Sequence, residues 1–261
     1  MKIQDDIQEY SVSRNGLNIL PLGDLHVGSK HCNMEYIEEA VKTFKKTRGP
    51  KRAYLMGDLL EVADKRVGGS VFDSVQKVDE QIETVIKLLK PIRRHIVSIV
   101  HGNHERRLHD SFNLQVDRAI AETYNISLYG DQTIDRFLIN GRPVTVHSYH
   151  GKGSSSYLYT AYSKVVRETM HINADIYLYG HLHRLGVYQR PVVDFQGLKQ
   201  KNYVLTGHFL NYDGSYADAK MMEYRPESFI ILKIEEKGRV GFNYHYNSMG
   251  DVYEVTKAYL L

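Results

Sequence analysis

The sequence predicts an α/β fold, and three observations predict it. Short apolar runs recur between residues 17 and 179, and five of them lead into turns that carry glycine with aspartate, asparagine or histidine. In the first half these runs alternate with segments of helical period, which argues for parallel strands joined by crossover helices. In the second half the runs shorten, alternate and are separated by turns, which argues for further β structure.

Leu17–Leu22 reads as a buried strand that enters Gly23–Asp24–Leu25–His26–Val27–Gly28. A glycine-flanked polar turn in that place is how α/β proteins present ligands at carboxyl strand ends. Asn33 is suited to cap a helix through about Lys46, with Ile37, Ala40, Val41 and Phe44 at helical spacing and Gly49–Pro50 as the stop. A second strand, Ala53–Met56, leads into Gly57–Asp58–Leu59–Leu60–Glu61. Val62–Ser74, with Gly68–Gly69, reads as a loop over the strand ends, and a helix is expected from about Phe72 to Leu89, closed by Pro91. The third strand, Ile96–Val100, delivers Gly102–Asn103–His104–Glu105. An amide, an imidazole and a carboxylate in succession are costly to bury there without partners. Asp110–Tyr124 is predicted helical, with Phe112, Val116, Ile120 and Ala121 on one face.

Ile126–Leu128, Phe137–Ile139 and Val144–Tyr149 then read as short strands, with a turn at Asn140–Gly141, and the last ends in His150–Gly151–Lys152–Gly153. A helix from about Ser155 to Met170 precedes a buried strand, Ile176–Tyr179, which ends in Gly180–His181–Leu182–His183. Val187–Val193, Tyr203–Leu205, Phe229–Ile234 and Val240–Tyr246 read as β. No linker, repeat or low-complexity tract interrupts the chain, so residues 1–261 are expected to form one domain.

Composition narrows the function classes. Apolar residues at 42% and charged residues at 25% are those of a globular chain, neither disordered nor membrane-spanning. A net charge of +3 suits an anionic substrate but is far from that of a dedicated nucleic-acid binder. The lone Cys32 excludes an internal disulfide framework and fits a reducing compartment. With no signal-peptide core at the N-terminus and no run of about 18 apolar residues, a cytoplasmic protein without membrane contact is expected. Thirteen histidines is high for the length, and twenty tyrosines with no tryptophan is a marked bias.

The polar strand ends together carry Asp24, His26, Asp58, Asn103, His104, His150, His181 and His183. Aspartate, asparagine and neutral histidine are ligands for borderline and hard divalent ions; without thiolates the set leans to Mn, Fe, Zn or Ni. Setting His104 aside, the donors number about what two ions sharing one carboxylate need. Such ions, roughly 3.5–4 Å apart, clamp the attacking and leaving oxygens of a displacement at phosphorus.

Gly–Asp–Leu–His (23–26), Gly–Asp–x–x–Glu (57–61), Gly–Asn–His–Glu (102–105), His–Gly (150–151) and Gly–His–Leu–His (180–183) resemble, in order and separation, the motif series of the calcineurin-like metallophosphoesterase superfamily. The resemblance implies a four-layer α-β-β-α sandwich with mixed sheets, spanning a single domain over 1–261, and a dinuclear metal site at the strand ends. It implies that Asp24, His26 and His183 hold one ion, that Asn103, His150 and His181 hold the other, and that Asp58 bridges. His104 matches the family's non-ligand histidine, which protonates the leaving oxygen or stabilises charge at phosphorus. The nucleophile it implies is a water that the ions acidify. Glu105 is expected to orient His104 or a neighbouring turn.

Two departures bear on the substrate. Glu61 stands where many members have Asp or Asn, and the Asp–Arg–Gly extension of the protein serine/threonine phosphatases is missing. Phosphoprotein substrates are therefore disfavoured. Arg106 and Arg107 follow the third motif and read equally as phosphate contacts or as solvated residues at a helix start. His208, in Thr206–Gly207–His208–Phe209, lies at a strand end within reach of a pocket, and Tyr216 lies in a turn-rich loop that can cover it. His147 is close to His150, but the family pattern of His–Gly selects His150. His101 is next in interest with His208, whereas His31, His95, His109, His171 and His245 read as structural or surface residues, and Lys45–Arg52 as a solvated connection.

The function these expectations favour is a metal-dependent hydrolase of phosphate esters, a phosphodiesterase or nuclease on nucleotides or nucleic acid. Its cofactor would be two divalent ions, with Mn expected and Fe, Ni, Co or Zn compatible. The alternatives are a phosphomonoesterase acting on nucleotides or proteins, and a metal-binding scaffold without chemistry. The Val62–Ser74 segment is similar to that of phosphoesterases found in phage and prophage genomes.

Overall fold

The computed structural model describes residues 8–12, 16–62, 74–155, 157–194, 197–215, 218, 221–236 and 238–247. Two six-stranded sheets carry the architecture. The first is built from β2 (Leu17–Leu22), β3 (Lys51–Leu55), β4 (Ile96–Ile99), β5 (Ser127–Leu128), β11 (Ser228–Ile234) and β12 (Val240–Tyr246), in the order β12-β11-β2-β3-β4-β5. The second holds β1 (Gln8–Val12), β6 (Gln132–Ile139), β7 (Arg142–Tyr149), β8 (Ile176–Tyr179), β9 (Leu185–Asp194) and β10 (Gly197–Thr206), in the order β1-β6-β7-β8-β10-β9.

Both sheets are mixed. The β2–β3, β3–β4 and β4–β5 pairs are parallel, whereas β11 pairs antiparallel with both β2 and β12. In the second sheet β7–β8 and β8–β10 are parallel, and β6–β7 and β9–β10 are antiparallel hairpins. Asn140 and Gly141 both take positive φ, 52° and 77°, as a two-residue hairpin turn between right-twisted strands requires.

Strand alternation decides which side chains go where. Leu17 and Ile19 of β2 face inward, with Tyr54, Phe137, Val146, Ile176, Leu178, Val204, Ile230 and Leu232, and form the core between the sheets. Leu20 and Leu22 point the other way. They pack under α1 (Met34–Lys46), α2 (Val78–Leu89) and α4 (Val116–Tyr124), and Leu108 of α3 (Asn103–Phe112) joins the same core. On the far side Tyr177, Tyr179, Tyr203 and Leu205 pack against Ala161 and Val165 of α5 (Leu158–Thr169). The layers are therefore α-β-β-α. Part of the tyrosine excess is explained by this last layer, where Tyr177 and Tyr203 stack at 4.6 Å.

Several predicted boundaries shift. Asn33 caps α1 as expected, its side chain accepting from Tyr36 N–H at 3.1 Å. The second helix starts at Val78, not Phe72, and Pro91 opens a 3₁₀ turn, Lys90–His95, instead of ending the segment. The helix expected over Asp110–Tyr124 is two helices, α3 and α4, separated at Asn113, which takes φ 55°. Most of the loop expected over Val62–Ser74, including Gly68–Gly69, lies outside the described residues, as does Tyr216. The edge strand β1 carries too little apolar signal to be anticipated: its sequence is Gln–Glu–Tyr–Ser–Val.

Candidate metal centre

The carboxyl ends of β2, β3, β4, β7 and β8 converge at one edge of the sandwich, and the predicted donors ride on the turns that follow them. Those turns are strained. Asp24, His26, Asp58, His181 and His183 all adopt positive φ, between 48° and 63°. Non-glycine residues adopt that region rarely, and cluster there at functional sites where the surroundings over-determine the backbone.

Two motif glycines are fixed by close approach. A Cβ on Gly102 would lie 2.0 Å from Asp58 N, and one on Gly57 would lie 2.4 Å from Gly102 N. The second and third turns therefore sit back to back, and only glycines let Asp58 and Asn103 enter one pocket. Gly102 also precedes α3 directly, so Asn103, His104 and Glu105 form its first turn. The sequence hid this helix start because only Glu105 and Leu108 of α3 are buried, which leaves no apolar stripe.

The donor atoms meet as follows. His26 Nε2 lies 3.3 Å from His183 Nε2, and His183 Nε2 lies 3.3 Å from Asp24 Oδ1. His150 Nε2 lies 3.3 Å from Asp58 Oδ2 and 3.1 Å from Asn103 Oδ1. Asp58 Oδ2 is 3.9 Å from His26 Nε2, which places this carboxylate between the two groups. His181 joins Asp58 and His150, with ligand atoms all within 4.8 Å. The structure thus brings together all seven predicted ligands.

Hydrogen bonds from behind set which nitrogen faces inward. His26 Nδ1 lies 3.0 Å from the Glu61 carboxylate, and His150 Nδ1 lies 2.7 Å from the Met56 carbonyl. Since those oxygens only accept, each ring keeps a proton on Nδ1 and turns Nε2 into the cluster, where it would offer a lone pair to a metal ion. His104 follows the same pattern, with Nδ1 donating to the Glu61 carbonyl at 2.5 Å. Its ring stands edge-on to His26 at 4.6 Å between centroids, and its backbone N–H donates to Asp58 Oδ1 at 2.9 Å.

Electrostatics call for a cation. Burial pushes the Asp58 carboxyl up, but His150, then His104 and His26, hold it well below the usual carboxylate range. Burial depresses His150, yet Asp58 and then Asp24 carry it up to about 10. Burial lowers His26 and His181. The buried carboxylates thus draw positive charge from His150, a role that a divalent cation would take over once the ring gave up its Nε2 proton to become a ligand.

Divalent ions fit this arrangement. Ligands held about 2.0–2.2 Å from one ion must lie no more than about 4.4 Å apart, and the donor contacts of His26, Asp24, His183, Asp58, His150 and Asn103 given above span 3.1–3.9 Å. His181 Nδ1 supplies a further observation: it is buried with no hydrogen-bond partner among the described residues.

Residues around the donors complete the picture. Glu105, expected to orient a neighbour, accepts from the backbone N–H groups of Asp58, Leu59 and Leu60 at 3.0, 2.7 and 3.0 Å. Burial, then Asp58 and Asp117, push its carboxyl up to about 7. His208 stacks on His183 at 5.1 Å and is itself buried, so it backs a candidate ligand and does not line an open pocket. Arg106 pairs with Asp131 on the surface. Sequence reasoning passed over Glu61 as a contact to the histidines, although its place three residues after Asp58 was a signal. It also passed over Arg225, which donates to the carbonyls of Leu182 at 3.0 Å and Ser155 at 3.4 Å.

Comparison with known families now decides the identity. The family model for calcineurin-like phosphoesterases matches residues 17–185, more than half of the chain. The chain belongs to that family. The match spans every predicted ligand, and the layers seen here are those of a metallophosphoesterase fold. Solved structures similar to this phosphoesterase include a single-residue variant of Vps29 from Entamoeba histolytica, 13% identical, with 90% of this chain and 95% of that one covered at a TM-score of 0.51. A conserved protein of Streptococcus pneumoniae, described as a predicted phosphoesterase, is 14% identical over 92% of this chain and 97% of that one, with a TM-score of 0.44. The Vps29 likeness concerns the fold alone. A comparison with curated proteins finds no match. No helix among the described residues is long and apolar enough to cross a membrane.

Proposed function

We propose that this phosphoesterase hydrolyses phosphodiesters, with nucleotides or nucleic acid as substrates, at a dinuclear centre of Asp24, His26, Asp58, Asn103, His150, His181 and His183. The observation that carries this reading is the convergence of these seven donors with His104, whose ring groups with His26 and Asp58 and whose Nε2, when the ring is an imidazolium, has a proton to give. Asp24, His26 and His183 would hold one ion, Asn103, His150 and His181 the other, and Asp58 would bridge. Bound divalent ions, with Mn expected, would supply Lewis acidity at phosphorus and a water acidic enough to lose its proton near neutral pH. The protein's own part is to hold those donors without relaxation, to exclude bulk water behind them, and to place an imidazole beside the leaving oxygen. A metal-binding scaffold would also use Asp58, so the preference for chemistry rests on His104.

The rim supports a polynucleotide. Tyr157 and Tyr159 are 73% and 79% exposed on the segment after His150, and Tyr224 is 58% exposed beside Arg225. Arg225 ties both segments to Leu182, between His181 and His183. Aromatic faces near a cationic centre are what unstacked bases require, at about 1–3 kcal/mol per base. Cleavage of a single-stranded oligonucleotide is therefore expected to fall steeply with salt. The double variant Tyr157→Ala/Tyr159→Ala should raise its KM by about 10-fold or more. Turnover of bis-p-nitrophenyl phosphate, which has no base, should be unchanged. A shallow salt response and an unaltered KM would shift the assignment to small nucleotides, and preference for p-nitrophenyl phosphate would shift it to monoesters.

A further inference from the structure

We propose that Glu61 is the positioning residue that sets two site histidines at once, His26 through its side chain and His104 through its backbone carbonyl. This rests on the reading above in which His26 holds an ion and His104 gives a proton. The carboxylate lies 3.0 Å from His26 Nδ1, and the carbonyl lies 2.5 Å from His104 Nδ1. Each contact fixes a tautomer, and both leave Nε2 facing the cluster.

The backbone that offers both groups is held from several sides. Glu61 N–H donates to the Val27 carbonyl at 3.0 Å, just past His26. The preceding N–H groups of Asp58, Leu59 and Leu60 end on Glu105. Val62, next in sequence, takes φ 47°, a conformation in which a β-branched residue is rarely found. Its N–H donates at 3.3 Å to Gln81 of α2, whose side chain is buried against Gly28. A strained residue persists only where its surroundings over-determine it. Here the strain turns the chain so that the side chain and the carbonyl of Glu61 point to two different histidines. An aspartate at this position keeps the charge but is one methylene too short for the His26 contact, which gives this chain a reason to carry glutamate.

The test uses Mn²⁺ alone, titrated calorimetrically into chelator-stripped full-length wild type, Glu61→Leu, Glu61→Gln, Glu61→Asp and His26→Ala. Thermal melting of the stripped proteins serves as the folding control. In Glu61→Leu one of the two Mn²⁺ sites should weaken by about 10–100-fold and the other should hold, because losing the group that orients a metal-ligating histidine typically costs that much. His26→Ala should weaken the same site. Glu61→Gln, which keeps an acceptor at the same reach, should recover most of the affinity, whereas Glu61→Asp should not. That order, Gln above Asp, follows from position and not from charge. At saturating Mn²⁺, Gln81→Leu, which frees the Val62 N–H and with it the turn that aims the Glu61 carbonyl, should show a lowered kcat on a dinucleotide with KM little changed, since His104 loses its fixed partner. Two wild-type affinities in a folded Glu61→Leu protein, or Asp binding as well as wild type while Gln does not, would overturn the proposal. If wild type takes up no Mn²⁺, it is the metal reading underneath that fails.

Discussion

His104→Ala is expected to lower the turnover of a dinucleotide phosphodiester by about 10²–10⁴-fold while two metal ions still bind. The reason is positional. Nδ1 of His104 is committed to the Glu61 carbonyl, so Nε2 is the atom left to meet the substrate, and it carries a proton to give when the ring enters as an imidazolium and leaves neutral. The ring lies edge-on to His26 and beside Asp58, close enough to the cluster to reach an oxygen leaving phosphorus there. An alkoxide leaving group needs that proton and p-nitrophenolate does not, so bis-p-nitrophenyl phosphate should lose much less rate than the dinucleotide. Steady-state kinetics on both substrates, with metal content measured on the same samples, separates the roles. Equal losses on the two would point to charge stabilisation at phosphorus instead of proton donation. Loss of metal would make His104 a ligand.

Glu105→Ala is expected to cost about 3–5 kcal/mol of folding stability, at the severe end for one substitution. The Glu105 carboxylate is 2% exposed and is the acceptor for three consecutive backbone N–H groups. Removing it strands those donors away from water, and each buried donor left unmade costs about 1–3 kcal/mol, with less than full additivity. At about 2–4 °C per kcal/mol for a chain of this size, the melting midpoint should drop by roughly 10 °C. Glu105→Gln offers one acceptor oxygen and sets an amide N–H against a backbone donor, so it should fall between wild type and alanine. Because the freed groups include Asp58 N–H, metal affinity should fall together with stability. Thermal melts of stripped and Mn²⁺-loaded protein measure both. A stable alanine variant with wild-type metal affinity would mean that the Asp58 turn is held by its glycines alone.

Much of this site is legible in the sequence because its chemistry is local. Asp24 with His26, Asn103 with His104 and His181 with His183 each sit a few residues beyond a buried strand, and strand ends converge in any α/β sandwich. The strands with clean apolar patterns, Leu17–Leu22, Ile176–Tyr179 and Val240–Tyr246, match the structure at both ends. What the pattern cannot carry is anything decided by backbone geometry or by distant partners. The start of α3 was missed because Asn103 begins the helix with polar residues. The break at Asn113 depends on a left-handed residue that the apolar spacing of 112, 116, 120 and 121 does not register. Glu61 was read as a departure from a family pattern, and its contacts to His26 and His104 depend on a turn bent by the positive φ of Val62. His208 lies at a strand end that left a pocket-lining and a core position both open, and it is buried behind His183, since nothing local distinguishes the open side of an imidazole from the packed side.

The central claim is that seven donors from five strand ends form a two-ion centre for phosphoester hydrolysis. The most direct measurement is metal stoichiometry joined to hydrolysis: chelator-stripped protein, titrated with Mn²⁺ and assayed at each step on bis-p-nitrophenyl phosphate and p-nitrophenyl phosphate. Two ions per chain are expected, with diester hydrolysis rising as they bind, abolished by chelator, restored by Mn²⁺, and absent in Asp58→Ala. Hydrolysis indifferent to chelator, or two bound ions with no hydrolysis of either ester, would contradict it.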